Sequence, residues 1–331
     1  MRRWLSTAAA PLRLSSAASS NLASMRPKKS LPAVFDGRAF RYADARVAGL
    51  SRGHIRSSTS VGPHRGIRVP ERITSPLGAD LAYAASAPED VALASVSACR
   101  VWGIPLPLSI GSRMHTFVAV RSPRHVPSGV AVTGFKLAGH LYSVREVDGV
   151  RALSPCVAWA QSAAVLALRE VLVQADALLT RADNYPGRRH QGALATLDEL
   201  RAVTAAWTGR VGVARLRAAL QLVRPGSESP GESRLRFVLS EAGFAEPIVQ
   251  HRVYDRGRFV ARIDLSYPPL KIALEYDGEH HFTVAKAMED IERRRELERL
   301  GWIVIQVTRR DIRDPSRLFA RLRVAMLARS S

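Results

Sequence analysis

The chain has 331 residues, 47% of them hydrophobic and 24% charged, which excludes a wholly disordered or collagen-like protein and leaves room for two or three cores. Gln, Arg and Glu interrupt even the longest apolar stretch, 158–179, so no run approaches the roughly 20 residues of a membrane-spanning helix. Cys99 and Cys156 have no partner at metal-ligand spacing, which excludes a disulfide framework and a cysteine zinc site and fits a reducing, cytoplasmic compartment.

The formal charge is +20, from 49 basic and 29 acidic residues. Only five of the basic residues are Lys, and residues 226–331 hold 19 basic and 16 acidic side chains, so +17 of the excess falls in residues 1–225. GC-rich coding alone also yields an Arg-rich, Lys-poor chain. The uneven distribution nevertheless invites a polyanionic partner for the N-terminal part.

In chain order, residues 1–30 hold six basic residues and no acid among many Ser and Ala. This is the composition of a transit peptide, or of an extension read from an upstream start with Met25 as the true one, and it is not expected to join the fold. Residues 31–75 predict a short helix through Ala48, a stop at Gly49, a second helix capped by Ser51, and an extended segment after Gly66. Arg46, Arg52, Arg56, Arg65 and Arg68 interleave with this pattern, as a helix-turn-helix with a wing on phosphates would require, although a solvated basic face reads the same way.

Residues 76–150 predict a small α+β region, with helices over 80–87 and 91–102 and strands over 115–120 and 129–135. Residues 151–223 predict a helical region: one long helix from Ser154 to Leu179, then helices over 194–206 and 211–222. No catalytic constellation falls in 76–222. The Pro/Gly/Ser-rich stretch 224–233 predicts a domain boundary or hinge.

Residues 224–331 carry the chemistry. An amphipathic helix with Glu232 in its first turn precedes three extended segments in a meander, a charged helix over 288–300, an apolar strand at WIVIQVT and a closing helix over 317–327. Asp264 sits inside the apolar strand RIDLSY, and Glu275 and Asp277 sit two apart at the end of the next, hence on one face. Burying such acids together costs several kcal/mol, of order, unless a cation neutralises them. Oxygen-only donors point to a hard divalent ion, Mg²⁺ or Mn²⁺.

The segments IDLSYPPLKIALEYDGEHHF and DIERRRELERLGWIVIQVT resemble the Vsr-like endonuclease domain of the PD-(D/E)XK superfamily, named for very-short-patch mismatch repair, over about residues 227–327. The region before them is similar in general shape to an AbiEi-type antitoxin region. The resemblance implies an α/β, multi-domain protein with a restriction-endonuclease-like mixed sheet flanked by helices. It implies Asp264 and Glu275 as metal ligands, the backbone carbonyl of Tyr276 completing the shell, and Glu232 holding the metal through water. Asp277 stands where the superfamily pattern has Lys, and His281, with His280 beside it, is the implied general base or leaving-group acid. Asp290, Arg293 and Arg294 would orient His281 or clasp the phosphate. The implied activity is metal-dependent hydrolysis of DNA phosphodiesters. The alternative is a DNA-binding regulator or antitoxin-like protein whose nuclease fold is inactive. DNA is the expected partner, a protein partner stays open, and no membrane is implied.

Overall fold

A computed structural model describes residues 29–35, 40–58, 60, 66–69, 73–129, 131–181, 185, 187–188, 190–278 and 284–330. It is a mixed α/β protein with three separate sheets, and no described helix is long and apolar enough to cross a membrane.

The N-terminal part contains β1 (Phe40–Arg41), α1 (Tyr42–Val47), α2 (Arg52–Ser57) and β2 (Ile67–Arg68). Gly49 ends the first helix in the left-handed region, φ +86, and the Ser51 side chain caps the second by accepting from the His54 backbone N–H. Leu31, Phe35, Phe40, Ala45, Leu50 and Ile55 form its small core, and β1 pairs antiparallel with β2. The expected wing tip, with Arg65, lies outside the described residues, as do residues 1–28 of the extension expected over 1–30; its last two residues do join the fold, the Lys29 backbone N–H donating to the Ser57 carbonyl at 2.9 Å and the Ser30 carbonyl lying 2.8 Å from His54 Nε2.

Next come α3 (Pro76–Ala84), β3 (Val91–Leu93), α4 (Ser95–Trp102), α5 (Leu108–Gly111), β4 (Thr116–Arg121), β5 (Val132–Leu137), β6 (Val144–Val147) and β7 (Val150–Leu153). The five strands form one sheet in the order β5-β4-β3-β7-β6. The stretch 91–102, expected as one helix, is a strand followed by a helix. β3 is the central strand, antiparallel to β4 and parallel to β7. A strand buried on both faces presents the same unbroken apolar run as a buried helix.

The helical region holds α6 (Pro155–Ser162), α7 (Leu168–Leu179), α8 (Leu197–Ala206) and α9 (Val213–Leu222). The single helix expected over 154–179 is therefore broken. At the break the Arg215 guanidinium donates to the Ala163 carbonyl at 2.8 Å. Gly212, at φ +93, lies so close that a Cβ there would come within 2.8 Å of the Ala163 backbone. The interruption is made by neighbours distant in sequence rather than by a local breaker.

The C-terminal part consists of α10 (Pro230–Glu241), β8 (Ile248–Asp255), β9 (Arg258–Tyr267), a 3-10 turn (Pro268–Leu270), β10 (Ile272–Asp277), α11 (Val284–Arg299), β11 (Ile303–Thr308), α12 (Arg309–Arg313) and α13 (Ser316–Ser330). β8, β9 and β10 make the antiparallel meander the sequence predicts, and α11 crosses over to bring β11 parallel to β10. One face of the sheet buries Leu265, Tyr267, Ile272, Leu274 and Val307 against Leu235 and Leu239 of α10 and Leu318 and Leu322 of α13. The other buries Ala261, Ile263 and Ala273 against Leu297 of α11 and Trp302.

Two features position the site. Residues two apart on a strand normally share a face, yet Ala261 and Ile263 pack toward α11 while Leu265 and Tyr267 pack toward α10, so β9 rolls over at Asp264. Directly across, between the pairs Val249↔Leu265 and His251↔Ile263, Gln250 has φ +53. The second feature is the seat of α10. The segment 224–233, expected as a boundary or hinge, is packed against α7: Asp176 accepts from the Arg224 backbone N–H at 2.9 Å and from the Arg236 guanidinium at 2.7 Å, Glu170 takes Arg234 in a two-bonded fork, and Tyr185 donates to the Ser227 carbonyl at 2.6 Å. Phe237 of the same helix packs against the core of the preceding region.

Candidate functional site

Ser229 caps α10 by accepting from the backbone N–H of Glu232, and Pro230 fills the first helical position, where no N–H is needed. The Glu232 side chain turns back and accepts from the Glu228 backbone N–H at 2.9 Å and from the Gln250 side-chain amide at 2.8 Å. It is buried, with 5% of its surface exposed. The helix-start role and the site role therefore coincide in one residue.

On the sheet, Asp264 accepts from the backbone N–H of Tyr276 at 2.8 Å. The Tyr276 ring lies over Gly231, where a Cβ would fall 1.9 Å from the ring, so the bare backbone of α10 is what admits it. Glu275 pairs with Arg293 of α11 at 3.1 Å, and Arg293 also reaches Asp290 at 3.4 Å. Arg262 pairs with Glu228 at 2.6 Å at the rim.

Burial first, then the charge of Asp264, pushes the Glu232 carboxyl up to about 7. The same two causes push Glu275 up to about 7, against the pull of Arg293. Asp264 is also raised, by burial, with the Tyr276 N–H and Arg293 opposing. The charge of Asp264 thus acts on acids of two other elements in a poorly solvated space. Arg293 supplies part of the neutralising charge from the protein itself.

Two buried oxygens, Oε1 of Glu275 and Oε1 of Gln250, have no hydrogen-bond partner among the described residues. An acceptor left so costs about 1–3 kcal/mol. Carboxylate and amide oxygens are the donors a hard divalent cation takes, so the donor chemistry fits the expected Mg²⁺ or Mn²⁺. Among the described residues, however, no three His, Cys, Asp or Glu side chains stand in ligand geometry. Asp264, Glu275 and Glu232 are each turned to a partner of the protein's own.

Glu232, Asp264, Glu275, Tyr276 and Arg293 are brought together, whereas Asp277 is exposed at the end of β10. Arg294 is half-buried and pairs with Glu298 on its own helix. His280 and His281 lie outside the described residues. Of the N-terminal arginines, Arg46, Arg52 and Arg56 are exposed and Arg68 is half-buried, and Arg46 donates to the Leu50 carbonyl at 2.6 Å. Sequence reasoning missed Glu228, in the loop before α10, and Gln250, inside β8, since a single polar residue in either place carries no spacing signal.

The chain is similar to two curated proteins of Mycobacterium tuberculosis, the uncharacterized protein MT2308 of strain CDC 1551 / Oshkosh and the uncharacterized protein Rv2248 of strain ATCC 25618 / H37Rv. Each is 31% identical over 147 residues, which is 40% of this chain and 54% of the relative. The chain thus spans about half the length of the curated relatives it matches. No family model matches it. No solved structure matches it either.

Proposed function

We propose that the chain is a Mg²⁺- or Mn²⁺-dependent DNA endonuclease of the Vsr-like, PD-(D/E)XK kind, carried to DNA by its basic N-terminal region. One observation carries the reading: Glu232, Asp264 and Glu275, the acids the resemblance names, come from a helix and two strands into one group, the charge of Asp264 acting on the other two, with a carboxylate oxygen left unpartnered among the described residues. The order α10-β8-β9-β10-α11-β11 with β11 parallel to β10 supports it.

In this reading Asp264 and Glu275 hold the cation, with the Tyr276 carbonyl beside them, and Glu232 orients water at the site. A bound divalent cation supplies positive charge for the scissile phosphate and lowers the pKa of water. Arg293, already at the carboxylates, offers a planar guanidinium to a phosphate oxygen. His281 takes or gives the proton. The two short helices with Arg46, Arg52 and Arg56 contact the DNA backbone.

A second reading is favoured by the Arg293–Glu275 pair and by Asp277 in the usual place of Lys: a DNA-binding regulator or antitoxin-like protein whose nuclease fold has lost its activity. Cleavage of supercoiled, linear, mismatched and single-stranded DNA in EDTA, Mg²⁺ or Mn²⁺, beside Asp264→Ala, separates the two. The nuclease cleaves only with metal and the variant does not. DNA bound without cleavage on any substrate selects the regulator.

A further inference from the structure

The β8–β9 pair shifts register between Val253 and Tyr254, and Gln250 marks a second departure from regular form. Its φ is +53, a conformation that costs a residue with a Cβ roughly 1–2 kcal/mol, and β9 changes face at Asp264 across from it. Non-Gly residues hold such conformations where the surroundings enforce them, and these cluster at functional sites. The side chain reaches Glu232: its N–H₂ donates to Glu232 Oε2 at 2.8 Å, while its Oε1 is buried with no hydrogen-bond partner among the described residues. The two polar atoms share one carbon, so this oxygen lies within a few ångströms, roughly, of the Glu232 carboxylate, on the strand that faces Asp264. A Gln does here what a further acid could not. It fixes a carboxylate by donation and adds an oxygen without adding negative charge to a crowded group.

We propose that Gln250 is a positioning residue of the carboxylate site, its amide hydrogens fixing Glu232 and its amide oxygen serving as a neutral donor to a divalent cation. The inference rests on the metal-site reading above.

The test is Mn²⁺ binding by the full chain without DNA, followed by calorimetry and by the electron paramagnetic resonance of the ion, for wild type, Gln250→Met and Asp264→Asn. Gln250→Met keeps the length of the side chain and removes both polar atoms. It is expected to weaken Mn²⁺ binding about tenfold or more, with the circular dichroism spectrum unchanged, and Asp264→Asn is expected to abolish binding. Wild-type affinity in Gln250→Met, with binding lost in Asp264→Asn, overturns the role of Gln250 and leaves the metal site standing. A wild type that takes up no Mn²⁺, or Asp264→Asn binding like wild type, overturns the metal site and this proposal with it. Should Gln250→Met not fold, Gln250→Asn accepts the left-handed backbone but is one methylene short. The same tenfold loss is expected there, and undiminished affinity overturns the proposal.

Discussion

Glu232 and Glu275 make the site sensitive to pH in a direction fixed by their burial. Each carboxyl, near 4.5 in an unfolded chain, is pushed up to about 7 in the fold. The folded state therefore binds more protons than the unfolded one between those values, and the contribution is present in full below the lower value and lost as pH rises through about 7. The thermal midpoint is expected to fall between pH 5 and pH 8, and Glu275→Gln to flatten that fall, both read by differential scanning fluorimetry. On the metal-site proposal a divalent cation would compete with the protons, and Mn²⁺ is then expected to raise the midpoint more at pH 8 than at pH 5. Gly231 is a second residue with a consequence. A methyl group there meets the Tyr276 ring at 1.9 Å, and the same Tyr276 holds Asp264 through its backbone N–H. Gly231→Ala is expected to cost about 1–3 kcal/mol in urea unfolding and to weaken Mn²⁺ binding without touching a carboxylate.

At the scale of elements, α1 and α2 carry the DNA-binding proposal. If Arg52 and Arg56 meet phosphates, replacing either with Ala reduces the slope of log affinity against log salt by about one. An unchanged slope in a fluorescence anisotropy titration would remove these helices from the interface. The elements differ in how plainly the sequence announces them. The two short N-terminal helices and the meander of β8, β9 and β10 lie where capping residues, glycine stops and alternation place them, because those signals act over a few residues. β3 and the break between α6 and α7 were not legible. β3 is settled by pairing with β4 and β7, and the break by Arg215 and Gly212, all remote in sequence. The site divides the same way. Asp264, Glu275 and Glu232 stand out as acids in apolar or helix-start positions, whereas Gln250 matters through a backbone angle and an unpartnered atom that composition cannot show.

In the whole molecule, α10 belongs to two cores. Leu235 and Leu239 complete the C-terminal sheet, Phe237 packs on the preceding region, and Arg236, 3% exposed, is matched by the fully buried Asp176. Asp176→Ala leaves that guanidinium buried without its carboxylate and is expected to cost about 3–5 kcal/mol in denaturant unfolding. A fragment of residues 224–331 loses Asp176, Glu170 and Tyr185 together, and is expected to melt below the full chain. Arg236→Met is expected to lower the midpoint of the full chain more than that of the fragment, since the fragment keeps Glu246, 3.5 Å from Arg236, but lacks Asp176.

The shared seat of α10 also bears on heredity. A nuclease-like unit joined by a loose tether can be passed from one N-terminal partner to another by recombination with little cost. Here the transplanted piece would arrive with Arg234 and Arg236 seeking acids on a host helix, and Glu232 beside them. A lineage that exchanges the region before residue 224 must carry α7 along with it, or rebuild those acids before the grafted helix can present its carboxylate.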